Sequence, residues 1–142
     1  MTSMHRHQTI LPLPLPEDDM QRFVLFAVRR MAVYGIRDAH AAARFVGLFG
    51  LRFRKPLVLM RAFIVELAQA STGTITIAPC CAPRMTRDEA LIVGILATAA
   101  SNPDNASKHL MTLTASPHAP SALATAAAFN DAAAELGRPI VI

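Results

Sequence analysis

No apolar run in this sequence is long enough to cross a bilayer, which takes about 20 residues as a helix. Its uncharged apolar stretches, Ala90–Ala100 and Pro56–Met60 among them, all fall well short of that. The start does not read as an export signal either. Ile10–Pro16 is apolar, but Pro12, Pro14 and Pro16 alternate with its leucines and favour an extended arm over a helical segment. The expected location is therefore the cytoplasm, with no membrane partner. Catalytic signatures are missing as well: there is no G-x-S-x-G, no P-loop, no G-x-G-x-x-G and no H-E-x-x-H. The six glycines are dispersed, so no loop is built to cradle a phosphate. These absences lean away from an enzyme, and no cofactor is expected.

Cysteine is scarce too. Cys80 and Cys81 are the only two, and they are adjacent. The ring that neighbouring cysteines close as a disulfide is small and strained, so the pair reads as reduced thiols. Charged residues make up only 17% of the chain, against 53% apolar residues. That is more apolar than the usual globular mix. At 142 residues the chain fits one domain, which buries roughly 68–70% of the surface its unfolded form exposes. The apolar surplus then asks for a cover, and a second copy of the chain is the simplest one.

What charge there is lies unevenly. The net charge is +4, yet Arg29, Arg30, Arg37, Arg44, Arg52, Arg54, Lys55 and Arg61 face Asp38 alone between positions 29 and 61.

Residues 1–16 read as a flexible proline-rich arm, carrying His5 and His7, and residues 17–142 as a single helical domain. Glu17, Asp18 and Asp19 stand where a helix N-terminus favours negative charge. Met20, Phe23, Val24, Ala27, Met31 and Tyr34 follow as an amphipathic stripe, and Gly35 ends it. Asp38 is the expected N-cap of a second helix with Ala41, Phe45 and Leu48 inward. Pro56 at N1 opens a third helix to about Gln69. This segment is apolar nearly all round and reads as the central buried helix. Thr86-Arg87-Asp88-Glu89 is a capping box that starts a fourth, carrying Leu91, Ile92, Ile95, Leu96 and Ala99. Asn102-Pro103 starts a short fifth helix with Ala106, Leu110 and Leu113 inward. A last, alanine-rich helix carries Ala122, Ala126, Phe129, Ala133 and Leu136 before Gly137. Thr74–Ile77 alternates like a strand, and Pro139–Ile142 is the expected partner for it. The fold class is therefore all-α, a compact bundle of five to six helices with one short two-stranded β pairing.

Three constellations could carry function. Cys80 and Cys81 could bind a soft metal or cycle through oxidation, with Arg84 and Arg87 favouring thiolate. Zinc sites space cysteines C-x₂₋₄-C, so adjacent sulfurs would need further ligands, and His40 and His109 are the embedded candidates. The alternative is a cysteine packed as a small hydrophobe. The basic belt, with Phe45, Phe49 and Phe53 among its arginines, offers Arg29, Arg30, Arg44, Arg52, Arg54 and Lys55 to phosphates. A groove-reading helix must present polar side chains, whereas Leu57–Met60 and Ala62–Val65 are apolar, so nucleic acid is not favoured as the partner. The third constellation is the apolar surplus itself, together with the small alanines of the last helix, which suit a helix interface.

The runs Phe26–Ala32, Asp38–Ala42, Arg54–Leu59, Ile77–Cys81 and Met85–Glu89 resemble a small bacterial family known as a domain of unknown function, over roughly residues 20–100. The resemblance implies a bacterial, cytoplasmic setting, brings no assigned catalytic residue, and draws attention to the cysteine loop. The function expected first is a non-enzymatic interaction or regulatory domain acting as a homodimer. A vicinal-cysteine thiol or soft-metal sensor is the second reading, and nucleic-acid binding through the belt is the third.

Overall fold

The computed structural model describes residues 11–142. Six α-helices follow in chain order: α1 (Asp19–Tyr34), α2 (Ala39–Phe49), α3 (Arg54–Ala70), α4 (Arg87–Thr98), α5 (Pro103–Thr114) and α6 (Pro120–Glu135). A 3₁₀ turn at Gly50–Arg52 joins α2 to α3. The helical bundle expected from periodicity is the fold found, and among the described residues one two-stranded antiparallel sheet accompanies it.

Most helix ends lie where capping chemistry puts them. Asp18 accepts from Gln21 N to open α1, and Asp38 accepts from Ala41 N to open α2. Asn102 accepts from Asn105 N at the start of α5, with Pro103 at N1. Gly35 closes α1 with φ at +98°, a conformation that costs glycine little, and its N–H returns to Met31 O.

The short sheet lies elsewhere than expected. Leu13–Pro14 (β1) pairs with Arg84–Met85 (β2), in register Leu13 with Met85 and Pro14 with Arg84. Thr74–Ile77 is extended but unpaired as a strand, because side chains take its backbone groups. Thr76 N donates to Asp88 Oδ2, and Thr76 O accepts from Thr86 Oγ1. The chain end forms no strand with it; Ile140 is buried in the core and Gln21 Nε2 donates to Val141 O. Of the arm expected over residues 1–16, residues 1–10, including His5 and His7, lie outside the described residues. Leu11 is buried, and the strand begins two residues later.

An edge-to-face aromatic cluster marks the core. Phe23 of α1 lies 4.8 Å from Phe45 of α2, which lies 6.5 Å from Phe129 of α6, centroid to centroid. Helix α4 is the most enclosed element, burying Glu89, Ile92, Val93 and Ile95–Thr98. Helix α3 is not buried all round. It sends Leu57, Met60, Phe63 and Leu67 inward, while Val58 is 58% exposed and Val65 36%. The middle of its outer face, at Val58 and Val65, is apolar and uncovered in the single chain, with Arg54, Lys55 and Gln69 exposed toward its ends. Among the described residues, no helix is long and apolar enough to cross a membrane.

Candidate functional site

Between α3 and α4 the chain runs for sixteen residues with only the two-residue strand β2, and its second half carries both cysteines. A hydrogen bond from Ala82 N to Pro79 O, 3.0 Å, closes a β-turn with Cys80 and Cys81 at its two central positions. Cys80 is half-buried, Cys81 is exposed, and both are free thiols.

The loop is held from beneath by a buried ion pair. Arg29 Nε lies 2.7 Å from Glu89 Oε2, and Arg29 Nη2 lies 3.0 Å from Glu89 Oε1. Arg29 is 3% exposed and Glu89 fully buried. The guanidinium also donates to Ala82 O at 3.0 Å and Arg84 O at 2.8 Å. The carboxylate in turn accepts from Ala78 N at 3.1 Å and Thr86 N at 2.9 Å. Two charges that would be costly to bury alone thus satisfy each other and four loop backbone groups. The capping box completes the knot: Thr86 Oγ1 accepts from Glu89 N and donates to Thr76 O. Arg29 reaches in from α1, Glu89 from α4, and the cysteine turn spans them.

Sequence reasoning reads Glu89 only as a cap residue and Arg29 only as part of a basic surface. Both readings miss the pair. Its signal was present, because Glu89 shares a helical stripe with Ile92 and Leu96, and Arg29 follows Leu25 by one turn. Opposite charges on two core-facing stripes are a prompt to look for a partner.

The remaining belt residues differ in what they touch. Arg30 bonds both oxygens of Asp38, at 3.0 and 2.9 Å, and its guanidinium lies over the Tyr34 ring. That hydrogen bond holds Asp38 below its ordinary carboxylate value and Arg30 above its ordinary one. Arg44 lies 4.4 Å over the Phe26 ring, and Arg54 lies 5.7 Å from the Phe53 ring. Lys55 reaches Glu135 at 3.9 Å, with both side chains largely in water. Arg52 is exposed.

The histidines considered with the cysteines stand on two different helices. His40 is exposed in the first turn of α2, and His109 of α5 packs over Gly94 of α4, its Nδ1 buried without a partner. Among the described residues, no three of His, Cys, Asp and Glu converge on a point that could hold a metal ion. The cysteine turn instead borders a cleft of about 250 Å³ whose far wall is α1, with Arg22, Leu25 and Phe26.

The sequence model of a family described as "Family of unknown function (DUF6628)" matches residues 1–138. No curated protein and no solved structure matches the chain.

Proposed function

The chain belongs to that family of unknown function, and from this premise and the geometry above we propose that it is a non-enzymatic regulatory domain whose working part is the Cys80–Cys81 turn. The observation that carries the reading is the joint state of the loop: its backbone is fixed to α1 and α4 by the Arg29–Glu89 pair, while Cys81 is exposed and Cys80 half-buried, both as free thiols. A buried, fully bonded ion pair defines one arrangement of its neighbours. Here the neighbours are the residues that flank the thiols. Reversible modification of either sulfur would press on the turn and, through it, on the contact between two core helices. Accessible sulfur in a fixed setting is what thiol-based regulation requires.

The test is thiol titration with elemental analysis on untagged protein purified without chelator. Two thiols titrating in the folded state support the reading. Stoichiometric soft metal that shields both until it is stripped supports it in its metal-sensing form. Thiols that titrate only after unfolding overturn it.

A second reading, self-association, has its own observation. Leu51 at the α2–α3 elbow is 98% exposed, and Val58, seven residues on, is 58% exposed on the outer face of α3. A homodimer covering this face would account for the apolar surplus of the composition. Light scattering at micromolar concentration should then give twice the chain mass, reduced toward the monomer by Leu51→Lys. A monomer throughout overturns it.

A further inference from the structure

The cleft beside the thiols has a chemical character of its own. Arg29, although it lines the cleft, adds little charge there because its guanidinium is taken up by Glu89 and two carbonyls. The free positive charge comes from two other arginines. Arg22 stands in the cleft wall and is steadied by its Nε donating to Pro16 O at 2.6 Å, an uncharged acceptor. Arg44 is exposed and lies over Phe26, a ring that lines the same cleft. Among the described residues, neither has a carboxylate within ion-pairing distance. Asp18 and Asp19 stand one helical turn before Arg22 and offset part of its charge, but Asp18 caps the helix through Gln21 N and neither lies within ion-pairing distance of the guanidinium. Arg30, within Coulombic reach of Cys80, is matched by Asp38. Leu15, Leu25 and Phe26 supply an apolar lining between these charges and the sulfurs.

We propose that this cleft takes a low-molecular-weight disulfide carrying carboxylates, its body against Leu25 and Phe26, its negative charge at Arg22 and Arg44, and its sulfur at the cysteine turn. The inference rests on the thiol reading above and adds the class of reactant. In the step itself, a cysteine gives its proton to solvent and the thiolate attacks one sulfur of the disulfide. The S–S bond breaks, one half departs as a thiolate, and the other stays on the protein as a mixed disulfide. The disulfide is the oxidant, reduced to thiol as the protein thiol is oxidised.

The experiment compares three reagents by stopped flow: the dianionic 5,5′-dithiobis(2-nitrobenzoate), neutral 4,4′-dithiodipyridine and dicationic cystamine. Each rate on the folded chain is divided by the rate on the urea-unfolded chain, which removes intrinsic reactivity. Cys80→Ser and Cys81→Ser assign the reacting sulfur. Electrostatic focusing in a cleft raises local concentration by about tenfold or more, so the normalised rate for the dianion should exceed that for cystamine by at least about that factor at low salt. The preference should shrink in 0.5 M salt and on joint Arg22→Gln and Arg44→Gln substitution, with the circular dichroism spectrum kept and the melt lowered only slightly by loss of the Pro16 and Phe26 contacts. Equal normalised rates for all three reagents overturn the anionic-ligand proposal and leave the thiol reading standing. No reaction with any reagent before unfolding overturns both.

Discussion

Arg29 and Glu89, 60 residues apart in the chain, meet inside the protein as a two-point ion pair, and every backbone group that pair touches besides its own helices belongs to residues 78–86. Glu89→Gln leaves the guanidinium buried without its counter-charge, and breaking such a pair costs about 3–5 kcal/mol. Urea unfolding should show that loss. The joint variant Arg29→Met, Glu89→Leu is the sharper measurement. An isolated buried pair is often replaced by apolar residues with little penalty. Here the exchange orphans Ala78 N, Thr86 N, Ala82 O and Arg84 O, at about 1–3 kcal/mol for each group that finds no water. The joint variant should therefore stay well below the parent in stability. Recovery to the parent value would show that the loop does not depend on the pair.

Arg84 makes a second tie to the same loop. Its guanidinium donates to Leu11 O at 3.0 Å and Pro12 O at 2.6 Å, holding the incoming chain against β2. These bonds are partly in water, so Arg84→Ala should cost only about 1–2 kcal/mol globally. Its local effect should be larger. Cleavage by a broad-specificity protease within residues 11–16 should accelerate, with the helices still protected by hydrogen exchange. Unchanged cleavage would show that Leu11 burial alone seats the segment.

How much of this was legible depended on range. Periodicity located every helix, because the apolar stripe and the caps are properties of a dozen neighbouring residues. Met20, Phe23, Val24, Ala27 and Met31 are the buried face of α1, as their spacing requires. Thr86 and Glu89 form the capping box that their order in the sequence announces. The strand was misplaced for a matching reason. Alternation in Thr74–Ile77 records one face against the core, with Ile75 and Ile77 half-buried, but does not say which groups receive the backbone bonds. At Thr76 the Asp88 carboxylate receives the N–H, while the hydroxyl of Thr86, the N-cap of α4, donates to the carbonyl. Likewise α3 reads as buried all round because nothing in its own residues reveals that Val58 and Val65 lack a neighbour. The cysteine turn was visible as a motif. Its anchoring to Arg29, some fifty residues earlier, was a tertiary fact.

Acid stability should carry the mark of Asp38. Its hydrogen bond from Arg30 lowers the carboxyl below its ordinary value of 3.8. A depressed native-state value means the unfolded chain takes up the proton first as pH falls. The contribution is present above the unfolded-state value and disappears as pH drops through the native-state one. Asp38→Asn keeps an N-cap acceptor for Ala41 N and removes the charge. The stability gap between parent and variant should be constant near neutral pH and close progressively below about pH 4. A gap that persists unchanged at pH 2 would show that the carboxylate charge does not carry the effect.

Glycine substitutions separate backbone cost from packing at three positions. Gly94 lies inside α4, where alanine is favoured over glycine by about 0.5–1 kcal/mol. A Cβ there would meet His109 Nδ1 at 3.6 Å and Cε1 at 3.9 Å, ordinary contact distances. Nδ1 has no hydrogen bond to lose. Gly94→Ala should therefore raise the melting temperature by a few degrees. Gly47, inside α2 with nothing within 4 Å of its would-be Cβ, should show the same gain from helix propensity alone. Gly137 stands in equally open space but at φ +77°, where an L side chain is strained. Gly137→Ala should lower the melting temperature although it touches nothing. If Gly94→Ala were destabilising while Gly47→Ala was stabilising, the α4–α5 seam at His109 would have to be tighter than its distances show, and the helix-propensity argument would survive only on the open face.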